Sequence, residues 1–159
     1  MVSQLRERVP DIDIRWARRE DAGAIARLFL VSSDGLAAYI WSRMNMPGLS
    51  LEEIGAARYS RTGTAFSYEN ALVAVAQDQV VGMVHAFEME SDPNAPREDD
   101  PVLRPYAELS DPGSLYVSGL AVDTRHRGRG IGSELMDCAH RLVQRAAARR
   151  DSYLRGLPS

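Results

Sequence analysis

The residues with the clearest chemical potential are Arg127 to Gly132, RGRGIG. They stand between an apolar run, Leu115 to Val122, and a segment of helical periodicity that opens at Ile131. Glycine has no Cβ, so Gly128, Gly130 and Gly132 allow successive N–H groups to turn into one concavity with no side chain closing it. A helix starting at that point adds the positive end of its dipole and the unsatisfied N–H groups of its first turn. Strand, glycine-rich turn and helix in this order suit a pyrophosphate. Arg125, Arg127 and Arg129 supply guanidinium donors to it, or else face water. Glycine-rich turns also occur without a ligand, so the residues alone leave both readings open. Two other phosphate loops are excluded: the Walker A lysine is absent, and no GxGxxG sits in a βαβ series.

The elements that must position this loop follow from periodicity. Asp11 to Trp16 alternates, placing Ile12, Ile14 and Trp16 on one buried face of a strand. Ala22, Ile25, Ala26 and Phe29 recur at helical spacing behind Asp21, a candidate N-cap, and Ser32 to Gly35 ends that helix. A second short helix is expected over Gly35 to Met44, with Trp41 in the core. A third opens on Ser50 and Glu53, which have capping-box spacing, and runs to about Arg61. Ala71 to Ala76 and Val80 to Phe87 form a hairpin whose connection lacks the favoured Asn-Gly or Asp-Gly pair. Leu115 to Val122 is the main strand, and Gly119 inside it signals a bulge or a close approach by another group. The closing helix presents Ile131, Leu135, Ala139, Leu142 and Ala146 along one stripe.

Length and composition bound the rest. At 159 residues the chain suits one domain with a sizeable core: residues 1–10 are expected as a flexible arm, 11–150 as the domain and 151–159 as a tail. A formal net charge of -3 gives no overall positive field, so nucleic acid is not the expected partner. All 19 basic residues are arginine. Cys138, the single cysteine, excludes an internal disulfide and reads as a packed side chain. The first ten residues lack a signal-peptide core, and no apolar run has spanning length, so a cytoplasmic protein without a membrane partner is expected. The stretch from Glu90 to Gly113 carries five prolines and no convincing element beyond a turn near Val102 to Leu109. The acidic residues of Glu88 to Asp100 attract a cationic acceptor or are simply solvated.

In this setting the glycine loop resembles the signature of the GNAT superfamily, the acetyl-coenzyme A-dependent N-acetyltransferases. That signature, Arg/Gln-x-x-Gly-x-Gly/Ala between the fourth strand and the third helix, is matched by Arg127, Gly130 and Gly132. GLAVDTRHRGRGIGSELMDCAH resembles the family's commonest form of the segment. IDIRWARREDAGAIARL resembles its first strand and helix, and ALVAVAQDQVVGMV its second and third strands, so the likeness spans residues 11–148. It implies an α/β fold with a mixed, largely antiparallel sheet flanked by helices. It further implies acetyl-CoA as cosubstrate. The backbone of Leu120, Ala121 and Val122 would hold the pantetheine arm and polarise the thioester. Arg127, Gly128, Arg129, Gly130, Ile131, Gly132 and Ser133 would hold the pyrophosphate. A neutral primary amine of a small molecule or peptide would attack the thioester directly, with the protein positioning the pair, offering an oxyanion donor and helping a proton leave.

The proton acceptor is open between Glu88, Tyr116 and His85. Some family members carry a glutamate on the fourth strand where this chain has Tyr116, a poor base near neutrality because its ordinary pKa is ~10. Glu88 and His85 reach the cleft through water, or stand as a solvated strand end and a satisfied sheet residue. Glu108 is a further candidate, and Tyr39 is placed to shape a substrate pocket. The resemblance also implies a fifth strand, a fourth helix and two more strands beyond the loop's helix, for which DSYLRGLPS leaves no room. The expectation is a form lacking the usual C-terminal portion, with the fourth strand's edge exposed or covered by a second copy of the chain. Tyr153 as a thiolate acid follows the wrong element. The competing expectation is a non-catalytic CoA-binding or structural dimeric protein on the same scaffold.

Overall fold

The computed structural model describes residues 11–89, 98–104 and 115–141. The expected arm, the tail, Glu108 and Tyr153 lie outside them. The fold is α/β: a four-stranded sheet in the order β1 (Ile12–Trp16), β2 (Ala71–Ala76), β3 (Gln79–Glu88), β4 (Leu115–Val122), with every described pairing antiparallel. Three helices, α1 (Ala22–Ser32), α2 (Leu36–Ser42) and α3 (Leu51–Tyr59), fill the long connection from β1 to β2. The helix α4, described over 131–141, follows β4.

Alternation along the strands divides the core in two. Val73, Met83 and Ala121 point to one face and pack with Ile25, Phe29, Trp41, Ile54 and Tyr59 of α1 to α3. Leu72, Ala74, Val81 and Val84 point to the other and pack with Ile131, Leu135 and Ala139 of α4. Cys138 packs against this second cluster, as a small side chain does. A sheet covered on both faces must read as apolar runs rather than clean alternation, which is why β2 and the middle of β3 are nearly continuous in apolar residues. Among the described residues, no single helix is long and apolar enough to cross a membrane.

Local chemistry explains the element ends. α3 begins with a complete capping box: Glu53 N–H donates to Ser50 Oγ at 3.1 Å and Ser50 N–H donates to Glu53 Oε1 at 3.3 Å. The β2–β3 turn consists of Gln77 and Asp78, both at positive φ (49° and 62°). That is the backbone the right-handed twist of a two-residue hairpin demands, here adopted without glycine.

Two expectations are refined. Asp21 occupies the N-cap position of α1 but makes no side-chain cap bond. Its buried carboxylate instead accepts from Arg18 N–H (2.7 Å) and pairs with both terminal nitrogens of Arg15 (2.7 and 3.2 Å), joining β1 to the 3-10 turn before the helix. Burial alone would raise this carboxyl, but those donors hold it below its usual range. Trp16 is 54% exposed rather than buried, because it ends the edge strand beyond the cover that Ile12 and Ile14 receive from the α4-side cluster.

Gly119 fulfils both halves of its expectation. Opposite it the β3–β4 register pairs His85 with Gly119 and Ala86 with Val117, so Ser118 is an inserted bulge residue. A Cβ on Gly119 would stand 2.3 Å from Cε1 of Phe29. Gly119→Ala is therefore expected to lower the unfolding free energy by about 1–3 kcal/mol through overpacking. Adding Phe29→Leu should restore part of the loss in urea denaturation; an unchanged midpoint in the single variant would contradict this packing.

Candidate functional site

The glycine loop is built in three steps from the end of β4. Asp123 Oδ1 accepts from Arg125 N–H (3.0 Å) and its carbonyl from His126 N–H (2.9 Å), forming a short 3-10 turn. Arg127 is extended and folds its side chain back, donating from Nε to the Val122 carbonyl at 3.1 Å. Gly128 and Gly130 then take positive φ, 78° and 80°, on either side of Arg129. An L residue is disfavoured there by about 1–2 kcal/mol, so these two glycines are a conformational requirement. Space around both is open, with nothing within 4 Å of an added Cβ.

The first helical bond of α4 runs from Glu134 N–H to the Gly130 carbonyl at 3.1 Å. The N–H groups of Ile131, Gly132 and Ser133 precede it and so have no acceptor within the helix. Ile131 is buried against the sheet and anchors the turn, while Gly128, Arg129, Gly130 and Ser133 are exposed. The loop thus presents a run of free donors at a helix start, flanked by guanidinium groups, which fits a pyrophosphate. Leu120, Ala121 and Val122 lie immediately before it. Leu120 is 39% exposed, and among the described residues no strand pairs with the outer edge of β4.

The sheet separates one of the three candidate proton acceptors from the other two. His85 lies on the helix-covered face, where its ring meets Phe29, Tyr59, Phe66 and Phe87 at centroid distances of 5.8, 5.5, 5.8 and 5.9 Å. Tyr116 is on the same face, its ring 5.5 Å from Phe87. Glu88 is exposed at the strand end, and alternation from Val84 puts it on the opposite face. Tyr39 is tied away from all three: its hydroxyl donates to Asp100 Oδ2 at 2.8 Å, fastening the 98–104 segment to α2.

Burial pushes the His85 imidazole down to about 4, with nearby backbone at Ser67 and Ala65 countering part of that effect. The ring is neutral near pH 7 and a weak proton acceptor. Its Nδ1 lies 2.5 Å from Ser118 Oγ, and its Nε2 is buried with no acceptor in hydrogen-bonding geometry. Ser118 Oγ also lies 3.3 Å from the His85 carbonyl, so the hydroxyl's one proton serves either that carbonyl or Nδ1, according to which ring nitrogen carries the proton. Sequence reading missed Ser118, since a serine inside an apolar strand carries no signal until the bulge turns it toward His85. Arg58 and Phe66 were likewise not placed beside this histidine. Cζ of Arg58 stands 4.3 Å from the Phe66 ring centre.

Comparisons with known proteins agree with this architecture. The sequence pattern of the acetyltransferase (GNAT) family matches residues 37–154. A crystal structure described as an acetyltransferase is similar at 26% identity with a TM-score of 0.57, over 85% of this chain and 76% of that one. An agmatine N-acetyltransferase S171A mutant shares the fold at 17% identity and a TM-score of 0.52, over 86% and 72%. Ribosomal-protein-alanine N-acetyltransferase from Brucella melitensis biovar Abortus 2308 does so at 20% identity and 0.50, over 87% and 74%. No curated protein matches the chain.

The buried imidazole predicts a pH signature. Its pKa is about 4 in the folded chain against 6.5 unfolded. Between those values the unfolded chain binds more protons, so stability is complete above pH 6.5 and declines as pH falls toward 4. The expected loss is up to about 3 kcal/mol. Urea midpoints measured across that window should fall more steeply in the wild type than in His85→Gln, and equal slopes would refute the assignment.

Proposed function

Because the chain belongs to the acetyltransferase (GNAT) family, we propose that it transfers an acetyl group from acetyl-CoA to a primary amine of a small molecule or peptide. The observation that carries this reading is the loop at Arg127 to Ser133, with two glycines at positive φ opening onto the start of α4, whose first helical bond is Glu134 N–H to the Gly130 carbonyl. Its N–H groups, with Arg127 and Arg129, hold the pyrophosphate. Leu120, Ala121 and Val122 hold the pantetheine arm through the backbone and set the thioester along β4. The outward N–H groups of this strand supply the donor for the oxyanion that forms as the amine attacks.

The acceptor enters from the helix-covered face, where Ser118 meets the strand. His85 acts there as a positioning residue rather than a base. It holds the Ser118 hydroxyl at the bulge, and a remaining lone pair of that oxygen accepts from an N–H of the incoming amine. The amine loses its proton to water along the half-exposed end of β3 and β4, beside Tyr116. Glu88, on the other face, is not proposed in that step. A cytoplasmic setting and a second copy along the edge of β4 that no described strand pairs belong to the same proposal.

Calorimetric titration with acetyl-CoA, followed by thiol release against an amine panel, tests the reading. Saturable binding with amine-dependent release supports it. Binding without release would favour a CoA-holding scaffold, and no binding by folded protein would reject both. Gly128→Ala or Gly130→Ala should weaken acetyl-CoA binding about tenfold, from the strain of an L residue at positive φ. Ser118→Ala should lower kcat about tenfold with the acetyl-CoA dissociation constant unchanged. The pH profile should keep its shape, because His85 does not titrate near neutrality. A profile that moved in Ser118→Ala would assign the proton acceptor to this pair.

A further inference from the structure

Beside the aromatic cluster around His85 stands a half-buried cation, Arg58, with no opposing carboxylate among the described residues. Arg58 stands in the last turn of α3, half-buried, with its guanidinium over the Phe66 ring. Nη1 reaches the Met44 sulfur at 3.8 Å, and Nε is sealed from solvent with no acceptor. The described ion pairs occupy Arg15, Arg18 and Arg27 instead. Burial lowers the Arg58 pKa, with the neighbouring Tyr59 phenol countering part of it. Desolvating a cation without a counter-ion is costly, and an incoming anion removes that cost. A planar guanidinium suits a carboxylate in particular, through two parallel N–H bonds.

The surroundings give that anion a direction. Phe66 is stacked on His85 and lies 5.2 Å from Phe87, which in turn leans on Tyr116. Arg58, Phe66, Phe87, Tyr116 and Ser118 each keep partial exposure, while His85 is fully buried as the floor beneath them. The result is a continuous strip from Ser118, at the bulge of β4, to the guanidinium on α3. Beneath and beside the rings the imidazole is uncharged and burial pushes the Tyr59 phenol up to about 12, while the exposed Arg61 adds a second positive charge near Arg58.

We propose that this strip is the acceptor subsite and that Arg58 binds a carboxylate of the acceptor, whose amine lies at the Ser118 end. The ligand class is an amino acid or peptide-like compound with its amine and carboxylate joined by an apolar spacer that lies across the rings. The inference rests on the acetyl-transfer reading, but its test does not require turnover.

The probes are N-acetylglycine, N-acetyl-β-alanine and N-acetyl-γ-aminobutyrate, each compared with its neutral carboxamide by calorimetry on the full chain. At least one acid should bind ten or more times tighter than its amide. Arg58→Gln should erase that difference, and Arg58→Lys should keep part of it. Equal binding of acid and amide in the wild type overturns the inference, as does binding of neither, or a preference that survives Arg58→Gln. If Arg58→Gln does not fold, the wild-type and Arg58→Lys comparisons still decide. Acetyl-CoA titration of the same samples separates the two failures: intact cosubstrate binding without an acid preference rejects this subsite alone.

Discussion

One phenyl ring occupies the place where a β4 side chain would stand, and the rest of the site depends on it. Phe29 lies against the bare backbone of Gly119 on one side and stacks on Tyr59 at 5.0 Å on the other. It therefore fixes α1 on the sheet and α3 on α1 at once, and its edge walls His85. Close packing makes such an arrangement stiff, because neither backbone nor ring can give without opening a void elsewhere. Gly55 repeats the device one layer out, where Trp41 and Ala26 crowd the space a Cβ would take.

The bulge beside that contact is what turns a sheet into a site. An unbroken β4 would alternate Ser118 away from the face that holds His85. The inserted residue puts Gly119 and Ser118 on the same face, one making room for Phe29 and the other reaching the imidazole. Strand alternation then separates two chemistries across the sheet. The glycine loop grows from the strand end that leads into α4, while the aromatic strip and Arg58 belong to the α1–α3 face. The backbone of β4 runs between them, which is why the thioester is proposed to lie along that strand.

Charge is distributed to match. Guanidinium groups at Arg127 and Arg129 are exposed, so the phosphate contacts proposed for them would cost little desolvation. Arg58 is the opposite case, partly desolvated and stacked on a ring, so an anion there gains from a lower local dielectric. Asp21 shows how the same chain treats a structural charge: a buried carboxylate is matched in full by Arg15 and a backbone N–H. The contrast between a buried charge that is matched and a half-buried one without a described carboxylate separates a structural role from the binding role proposed for Arg58.

The sequence by itself determined the elements and the glycine loop, because both are encoded in neighbouring residues. The Ser50–Glu53 box, the alternation of Ile12 and Ile14, and the glycines at 128 and 130 act over a few positions, and their backbone demands need no distant partner. The sequence also marked Gly119 as a place where something must come close. Only the tertiary structure decided what comes close, that Ser118 rather than Glu88 joins His85, and that Trp16 is left uncovered while Trp41 is buried. It also decided that Arg58 has no carboxylate among the described residues. Those outcomes depend on strand register and on helices meeting across long separations in the chain. A one-residue insertion reverses which side chains share a face, and no local pattern records it.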